Sequence, residues 1–334
     1  MKWCIIGAGG IADRRTIPAI LEDKSNEIVA IMDKVPAVAE RLGEKYNVKY
    51  YIDEEQMLQE NECDAVYIGT PVMCHYKQAM LALQFGCNVF IEKPIGLNAQ
   101  EGENLVQAFK AAKKQIYVGY MMKYHNLHIK AKQLISENAI GEVTNVRAQF
   151  SCWYPEIAGA WRQNKLLGGG GAIMDLGVHC IELIEYILDD EIAEVKAFYG
   201  TKLFSYEVED SGVVIFQTKK GILGNIEVNF NIPDKASESK LEIYGSQGYL
   251  IARGTLGQEE CGDLAHLYSP QGEYEALQSR ASDNPTVYSA QGENIYLKQI
   301  QDFCDNIRGG KLDYFYADRA VQVQKIVDTI YAQK

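Results

Sequence analysis

The chain has 334 residues, 47% of them hydrophobic and 23% charged, which is ordinary for a globular protein and long enough for two domains. A formal net charge of −12 disfavours nucleic acid as a ligand, and no stretch approaches the ~20 apolar residues of a membrane span. The eight cysteines are scattered without a C-x-x-C pair. We therefore expect a cytoplasmic protein with buried thiols, no metal site and no membrane partner.

The first predicted element is a short buried strand over residues 3–6 that runs directly into Gly7-Ala8-Gly9-Gly10-Ile11-Ala12. This is a G-x-G-x-x-A turn. Its glycines permit a tight turn and let backbone N–H groups approach a pyrophosphate, and its last small residue lets helix and strand pack closely. A helix is predicted over residues 11–21, with a kink or a late start at Pro18.

A second strand over residues 27–33 ends in Asp33, 21 residues after Ala12. This is close to the spacing of the carboxylate that binds a ribose 2′-hydroxyl, so the stretch predicts a dinucleotide site. Asp33 would repel a 2′-phosphate, which favours NAD over NADP. Lys34 leaves NADP possible, because its ammonium could neutralise that phosphate; the alternative is an exposed turn residue.

The alternation of strands and helices continues to residue 121. Strands are predicted over residues 48–51, 64–69, 89–93 and 116–120, and helices over residues 54–60, 75–85 and 98–113. Six strands with crossovers of this length predict an α/β domain over residues 1–121, a Rossmann domain with a doubly wound parallel sheet.

The fifth strand ends in Glu92-Lys93-Pro94, an acid, a base and a proline after four apolar residues. Ligands of open parallel sheets bind beyond the carboxyl ends of the strands. Lys93 is therefore a candidate for chemistry, on the same edge of the sheet as the Gly7–Gly9 turn. The alternative is a lysine that only caps a strand end in solvent.

After residue 121 the pattern changes. A helix over residues 128–138 is followed by strand-like runs over residues 143–153, 193–203, 212–218, 224–230 and 241–253, a weakly patterned stretch read as loop over residues 255–287, and helices over residues 294–307 and 318–331. This predicts an α+β domain over residues 122–334 with a large, mostly antiparallel sheet, whose last helix could pack back on the first domain. Aromatic residues on both strand faces suggest a homo-oligomer, a dimer or a tetramer.

One predicted helix in the second domain carries ionisable groups. Asp175 and His179 lie four residues apart on it and so share a face, whereas its other faces are apolar. Such groups are costly to bury unless they are paired or face a polar cleft. They either pair with each other in the core or serve a site. The glycine run at residues 168–171 before them indicates close backbone approach, with a substrate as one candidate.

Six motifs occur together over nearly the whole chain: Gly7-x-Gly9-x-x-Ala12, Thr70-Pro71-x-x-x-His75, Glu92-Lys93-Pro94, Trp161-Arg162, the glycine run and Asp175-x-Gly177-x-His179. In this combination the chain resembles the Gfo/Idh/MocA family of sugar and cyclitol oxidoreductases. The resemblance implies hydride transfer between NAD(P) and a carbinol or carbonyl carbon of a sugar, cyclitol or related polyol.

The resemblance also implies roles for individual residues. Lys93 would anchor the reacting hydroxyl, His179 would exchange its proton, and Asp175 would hold or assist them. An imidazole, with an unperturbed pKa of about 6.5, suits an acid–base role near neutral pH.

The same resemblance implies further binding residues. The cofactor site would include Thr70, Pro71, His75, Glu92 and Lys93. Arg162 beside Trp161, and Lys123, would orient substrate oxygens. Many members of the family carry an arginine where this chain has Lys123; a lysine keeps the charge but loses the planar fork.

Two other functions fit the same motifs. One is a glycosidase that uses bound NAD for transient oxidation and forms no net NADH. The other is a non-catalytic sensor of nucleotide or sugar state. Retention of both Lys93 and His179 argues against the sensor, since a sensor needs no proton transfer.

Overall fold

The computed structural model describes residues 1–270, 272–274, 276 and 284–333. Its backbone divides into two compact units. Unit 1 comprises Met1–Tyr120, Asn164–Gly169 and Tyr296–Asp328, and unit 2 comprises Met121–Gln163, Gly170–Ile295 and Thr329–Lys334. Unit 1 thus takes in two segments that lie beyond residue 121. Within the described part of the chain, no helix is both long enough and apolar enough to cross a membrane.

Unit 1 is built on a six-stranded parallel sheet of order β3-β2-β1-β4-β5-β6, which confirms the predicted Rossmann sheet. Its strands are β1 (Lys2–Ile6), β2 (Glu27–Met32), β3 (Lys49–Tyr51), β4 (Ala65–Ile68), β5 (Asn88–Ile91) and β6 (Ile116–Val118). The chain order reverses between β1 and β4, and ligands bind at such a switch point in open α/β sheets.

The helices of unit 1 are α1 (Ile17–Glu22), α2 (Pro36–Tyr46), α3 (Glu54–Glu60), α4 (Val72–Gln84), α5 (Ala99–Ala112), α7 (Lys165–Gly168) and most of α9 (Ile295–Arg308) and α10 (Phe315–Tyr331). The sequence reading missed α2, although Pro36 in its first turn and left-handed Asn47 after its end are both common helix boundary signals. The helix predicted over residues 11–21 is a π-helical turn, Ala12–Thr16, that continues into α1. Pro18 is the second residue of α1, at the point where the π-helical turn passes into the α-helix.

An aromatic cluster forms the core of unit 1. The rings of Trp3 and Phe303 lie 5.3 Å apart, and Phe90 lies 5.2 Å from Tyr117 and 5.6 Å from Phe303. All four side chains are buried. Aromatic contacts of this kind stabilise a core beyond their buried area. Because Phe303 lies on α9, these contacts account for the inclusion of that helix in unit 1.

Unit 2 contains an eight-stranded sheet of order β14-β13-β12-β11-β7-β10-β9-β8. Its strands are β7 (Val143–Ser151), β8 (Ile192–Gly200), β9 (Ser211–Thr218), β10 (Leu223–Asn229), β11 (Lys240–Gly245), β12 (Gly248–Arg253), β13 (Asp263–Tyr268) and β14 (Thr286–Ser289). Among these described strands only β7 and β10 pair in parallel, so the predicted mostly antiparallel sheet is confirmed. Helices α6 (Asn126–Ser136) and α8 (Val178–Leu188) also belong to this unit.

The strand-like run predicted over residues 241–253 is a hairpin of β11 and β12. The structure corrects one prediction in unit 2. The predicted loop over residues 255–287 contains β13 and the start of β14; within it, residues 271, 275 and 277–283 lie outside the described part of the chain. His266 lies on β13, with its Nε2 3.2 Å from the Ala139 carbonyl oxygen. Pairing with β12 supplies the order that the local pattern did not signal.

Candidate cofactor and substrate sites

The glycine turn of unit 1 packs tightly on the end of β4. Gly7 has a φ of +79°, and a Cβ there would lie 2.7 Å from Thr70 Cγ2. Its N–H and that of Ala8 donate to the Met32 carbonyl oxygen at 2.9 and 3.1 Å. Only glycine combines this left-handed conformation with this close approach. Gly10, in contrast, is exposed, and a Cβ there would meet nothing within 4 Å. Ile11, the next residue, is half-buried.

Asp33 lies directly beside this turn, as its spacing predicted. Oδ2 accepts a 3.0 Å hydrogen bond from the Gly9 N–H, and Oδ1 accepts one of 3.0 Å from the Val35 N–H. A Cβ on Gly9 would lie 3.2 Å from Oδ2. Lys34 points elsewhere: its side chain is 76% exposed and its Nζ lies 3.9 Å from Glu54. The structure therefore brings the glycine turn and the Asp33 carboxylate together at one edge of the sheet.

His75 braces the neighbouring loops from behind. It is 1% exposed, and its Nε2 lies 3.0 Å from the Thr70 carbonyl oxygen and its Nδ1 2.9 Å from that of Pro94. Burial lowers its pKa to about 4, so the ring is neutral at physiological pH. Pro71 directly precedes α4, the helix that carries His75. The histidine thus links the end of β4 to the turn that follows β5.

That turn holds Glu92 and Lys93. The Tyr67 hydroxyl donates a 2.8 Å hydrogen bond to Glu92 Oε1, and Thr16 Oγ1 donates to the same hydroxyl at 3.2 Å. Burial, with the Glu92 carboxylate, raises the pKa of Tyr67 well above its ordinary value. Sequence reasoning missed Tyr67, because a tyrosine inside an apolar strand carries no signal of a polar partner. Lys93 is half-buried, two residues beyond the end of β5.

Unit 2 brings together Arg162 and Asp175, which the sequence had assigned to one substrate site. Arg162 Nε lies 3.4 Å from Asp175 Oδ1. The Trp161 ring lies against the guanidinium, 4.2 Å from its carbon. Burial lowers the pKa of Arg162, but the Asp175 carboxylate and the Tyr154 hydroxyl outweigh it, so the net shift is upward. The guanidinium is therefore a fixed cation with a defined plane.

His179 lies one helical turn beyond Asp175, in the α-helix α8 and not in the π-helical turn. Asp175 belongs to a π-helical turn, Ile173–Gly177, which leads into α8. Such wide turns occur often at functional sites. His179 is 5% exposed, and the Phe150 ring meets it edge-on at 6.4 Å.

The glycine run approaches protein groups rather than open space. A Cβ on Gly170 would lie 2.0 Å from the Tyr331 hydroxyl oxygen, and one on Gly171 would lie 2.0 Å from the Glu209 carbonyl oxygen. Glu209 Oε1 accepts hydrogen bonds from the Gly171 N–H, the Ile173 N–H and the Tyr331 hydroxyl at 3.0, 3.1 and 2.7 Å. The run thus anchors the start of the helical segment that carries Asp175. Close approach to protein groups, and not to a substrate, explains why Gly170 and Gly171 lack side chains.

Lys123 has a buried partner. Its Nζ lies 3.5 Å from Glu182 Oε1, and both side chains are 2% exposed. A buried pair of this kind is costly to break, because either charge would be left in a medium of low polarity. The sequence predicts that Lys123 orients substrate oxygens. The structure instead places it in the interior of unit 2, beside α8.

Two family models match the chain. Residues 1–120 match "Oxidoreductase family, NAD-binding Rossmann fold", and residues 128–251 match "GFO/IDH/MocA C-terminal domain". Together they cover most of the chain.

Individual proteins are similar over most of their length. A 1,5-anhydro-D-fructose reductase from Ensifer adhaerens is 28% identical over 280 residues, 81% of each chain. The crystal structure of an aldose-aldose oxidoreductase from Caulobacter crescentus, complexed with glycerol, superimposes with a TM-score of 0.86 at 21% identity and covers 99% of this chain and 96% of its own. A 3-ketoreductase from Actinomadura kijaniata, in complex with NADP and TDP-benzene, gives 0.85 at 20% identity and covers 99% of this chain and 97% of its own.

Proposed function

Because this chain belongs to the Gfo/Idh/MocA family of NAD-binding oxidoreductases, we propose that it transfers a hydride between NAD(P) and a carbinol or carbonyl carbon of a sugar, cyclitol or related polyol. The observation that carries the proposal is the position of Lys93. It follows β5 of a parallel sheet, at the edge where the glycine turn after β1 and Asp33 after β2 also lie. The sugar reductase and oxidoreductase among the similar proteins support this substrate class.

The residues of unit 1 fit a dinucleotide. The Gly7–Ala12 turn would cradle the pyrophosphate with backbone N–H groups, and Asp33 would accept hydrogen bonds from the adenosine ribose. Thr70, Pro71 and Glu92 would line the nicotinamide end, braced by His75. When bound, the cofactor supplies or accepts the hydride. We favour NAD, because Asp33 is held at the turn whereas Lys34 is directed into solvent.

Lys93 and His179 divide the handling of the reacting oxygen in this proposal. In the oxidation direction His179 takes the proton of the substrate hydroxyl, and in reduction it returns that proton to the carbonyl oxygen. The Lys93 ammonium stabilises the negative charge that the oxygen gains as its proton leaves in oxidation, or as the new C–H bond forms in reduction. Electrostatic stabilisation at the point where charge develops often contributes the largest single part of a rate enhancement.

Arg162, Trp161 and Asp175 orient the remaining substrate oxygens. The guanidinium is stacked on Trp161 and paired with Asp175, so the directions of its N–H groups are defined. Lys123 does not orient substrate oxygens directly in this proposal. Its pairing with Glu182 holds a buried cation beside α8.

We also propose a homo-oligomer, a dimer or tetramer, in a reducing, cytoplasmic compartment. Phe198 and Ile215 on the outer face of β8 and β9 are 86% and 55% exposed, and Val213 pairs with Phe198. Exposed apolar patches of this kind mark protein interfaces. All eight cysteines are free, which fits a reducing environment.

The direct test is absorbance at 340 nm with a panel of sugars and polyols and either NAD or NADP. A steady rise with one of them supports a dehydrogenase. Hydrolysis of a glycoside without net NADH would identify the glycosidase, and neither reaction with any member of the panel would contradict the proposal.

A further inference from the structure

Unit 2 contains a cluster of three aromatic side chains, one exposed and two half-buried, that hydride transfer does not account for. The cluster consists of Trp153, Phe204 and Tyr206, and we refer to it as the aromatic surface. Trp153 and Phe204 meet edge to face at 5.3 Å and 69°, and Phe204 and Tyr206 stack at 5.3 Å and 25°. Trp153 is 41% exposed. Rings that pack on one another and leave a tryptophan open to solvent form a surface on which a ligand can stack.

The loop that carries Phe204 and Tyr206 is rigidly held. The Asp210 carboxylate accepts hydrogen bonds from the backbone N–H groups of Lys202, Leu203 and Phe204 at 2.9, 2.8 and 3.1 Å. These bonds hold the pKa of Asp210 below its ordinary value even though burial opposes them. Glu156 fixes the same loop from the other side, accepting 2.8 and 2.6 Å hydrogen bonds from Ser205 N and Oγ. The aromatic surface is thus preorganised, which lowers the entropic cost of binding.

The aromatic surface is continuous with the Arg162–Asp175 pair. The Tyr206 hydroxyl donates a 3.3 Å hydrogen bond to the Tyr154 carbonyl oxygen. Tyr154 in turn bears on both partners of the pair: burial and the Asp175 carboxylate raise the pKa of its hydroxyl, and Arg162 lowers it. Tyr154 therefore connects the aromatic surface to the residues that would hold the reacting sugar ring.

The charges around the aromatic surface indicate a neutral ligand. Glu156 and Glu207 lie on or beside the loop, and Asp234 accepts a 3.0 Å hydrogen bond from the Trp153 N–H. These carboxylates outnumber the neighbouring Lys202 and Lys235, and the whole chain carries −12. A diphosphate-linked nucleotide would be repelled here. The C–H face of a pyranose, with hydroxyls at its edge for the surrounding polar groups, suits both the flat apolar rings and the acidic rim.

We propose that the aromatic surface is a second sugar subsite, so that the substrate is a neutral glycoside or disaccharide rather than a free monosaccharide. One ring is held at Arg162 and Asp175 for oxidation or reduction, and the second stacks on Trp153. The proposal rests on the sugar class of the proposed function and adds the length of the substrate to it.

The test is calorimetric binding of paired ligands to the full chain with NAD present. Each pair is a disaccharide (maltose, cellobiose, lactose) and its monosaccharide component, D-glucose or D-galactose. We expect at least one disaccharide to bind about tenfold more tightly than its monosaccharide component. Trp153→Ala should reduce this ratio of dissociation constants to within about twofold of one, and Trp153→Phe should retain most of it. Tyr268→Ala, which removes an exposed aromatic side chain of β13, is the matched control and should leave the ratio unchanged.

Three outcomes would overturn the subsite. The first is the lack of a disaccharide preference in the wild-type protein, and the second is a preference that persists in Trp153→Ala. The third is a change of oligomeric mass in Trp153→Ala by light scattering, which would make the aromatic surface a subunit contact. Because the readout is binding, failure of the proposed redox function shows separately, as absence of any change at 340 nm.

Discussion

Arg162 Nε lies 3.4 Å from Asp175 Oδ1, across 13 residues of sequence that include the whole glycine run. The pair joins the short 3-10 turn Trp161–Gln163 to the π-helical turn before α8. Asp175 therefore has a cationic partner, and the alternative that its only role is to pair with His179 in the core loses its basis. The Arg162 guanidinium is therefore a cation whose position is fixed by Asp175 and Trp161.

The first prediction concerns the shape of that cation. Arg162→Lys keeps the charge but loses the planar group stacked on Trp161, so substrate binding should weaken, with a roughly tenfold rise in KM and a smaller change in kcat. Steady-state kinetics on the sugar that gives turnover measures both. Arg147→Lys is the control, since Arg147 also stacks on a ring, Tyr244, at 5.7 Å. An equal loss in both variants would argue against a role in substrate binding.

The second prediction concerns the cofactor. Asp33→Asn removes the charged acceptor at the glycine turn, so the dissociation constant for NADH should rise about 10- to 100-fold. NADPH should be affected less, since the repulsion of its 2′-phosphate is also removed. Fluorescence titration with both nucleotides measures the ratio. Lys34→Met is the control and should leave the NADH value unchanged; a larger effect than that of Asp33→Asn would reverse the roles of the two residues.

Asp33 also shows what could be predicted from the sequence. The Rossmann sheet, the glycine turn and the acid after β2 are local patterns whose spacing alone fixes their geometry, and each was found. Helix α2 was missed although its boundary signals were present. Strand β13 was missed because its order comes from pairing with β12. The glycine run was recognised as a place of close approach, but its partner Glu209 lies 38 residues from Gly171, beyond any local pattern.

The third prediction is a pH dependence of stability. Burial raises the pKa of Glu209 above its ordinary value of 4.5, against the hydrogen bonds from Tyr331, Ile173 and Gly171. A carboxyl group with a raised folded pKa contributes stability that is full below the unfolded pKa and is lost as the pH rises through the folded pKa. The free energy of unfolding of the wild type, relative to Glu209→Gln, should therefore fall as the pH rises above about 4.5.

Urea denaturation of both proteins over a range of pH measures this difference. Glu194→Gln, an exposed carboxyl group on β8, is the control and should show a flat difference. A Glu209 difference that rises with pH would contradict the direction of the shift.

The fourth prediction compares two glycines of one segment. A Cβ on Gly171 would lie 2.0 Å from a backbone oxygen of Glu209, so Gly171→Ala should lower the free energy of unfolding by at least about 3 kcal/mol. At Gly177 the nearest atom is Ile173 Cγ2 at 3.5 Å in a helical backbone, so Gly177→Ala should be neutral or stabilise by about 0.5–1 kcal/mol. Denaturant titration measures both, and similar losses would contradict the account of the Glu209 anchor.

The most direct measurement of the central claim is the turnover of Lys93→Met. With the sugar and cofactor that give the wild-type signal at 340 nm, kcat should fall by at least about a thousandfold, because the developing charge on the oxygen loses its cation. NADH affinity should stay within about twofold, and Lys77→Met, an exposed lysine on α4, should leave both quantities unchanged. Wild-type turnover in Lys93→Met would contradict the assignment of Lys93, and with it the mechanism proposed for this protein.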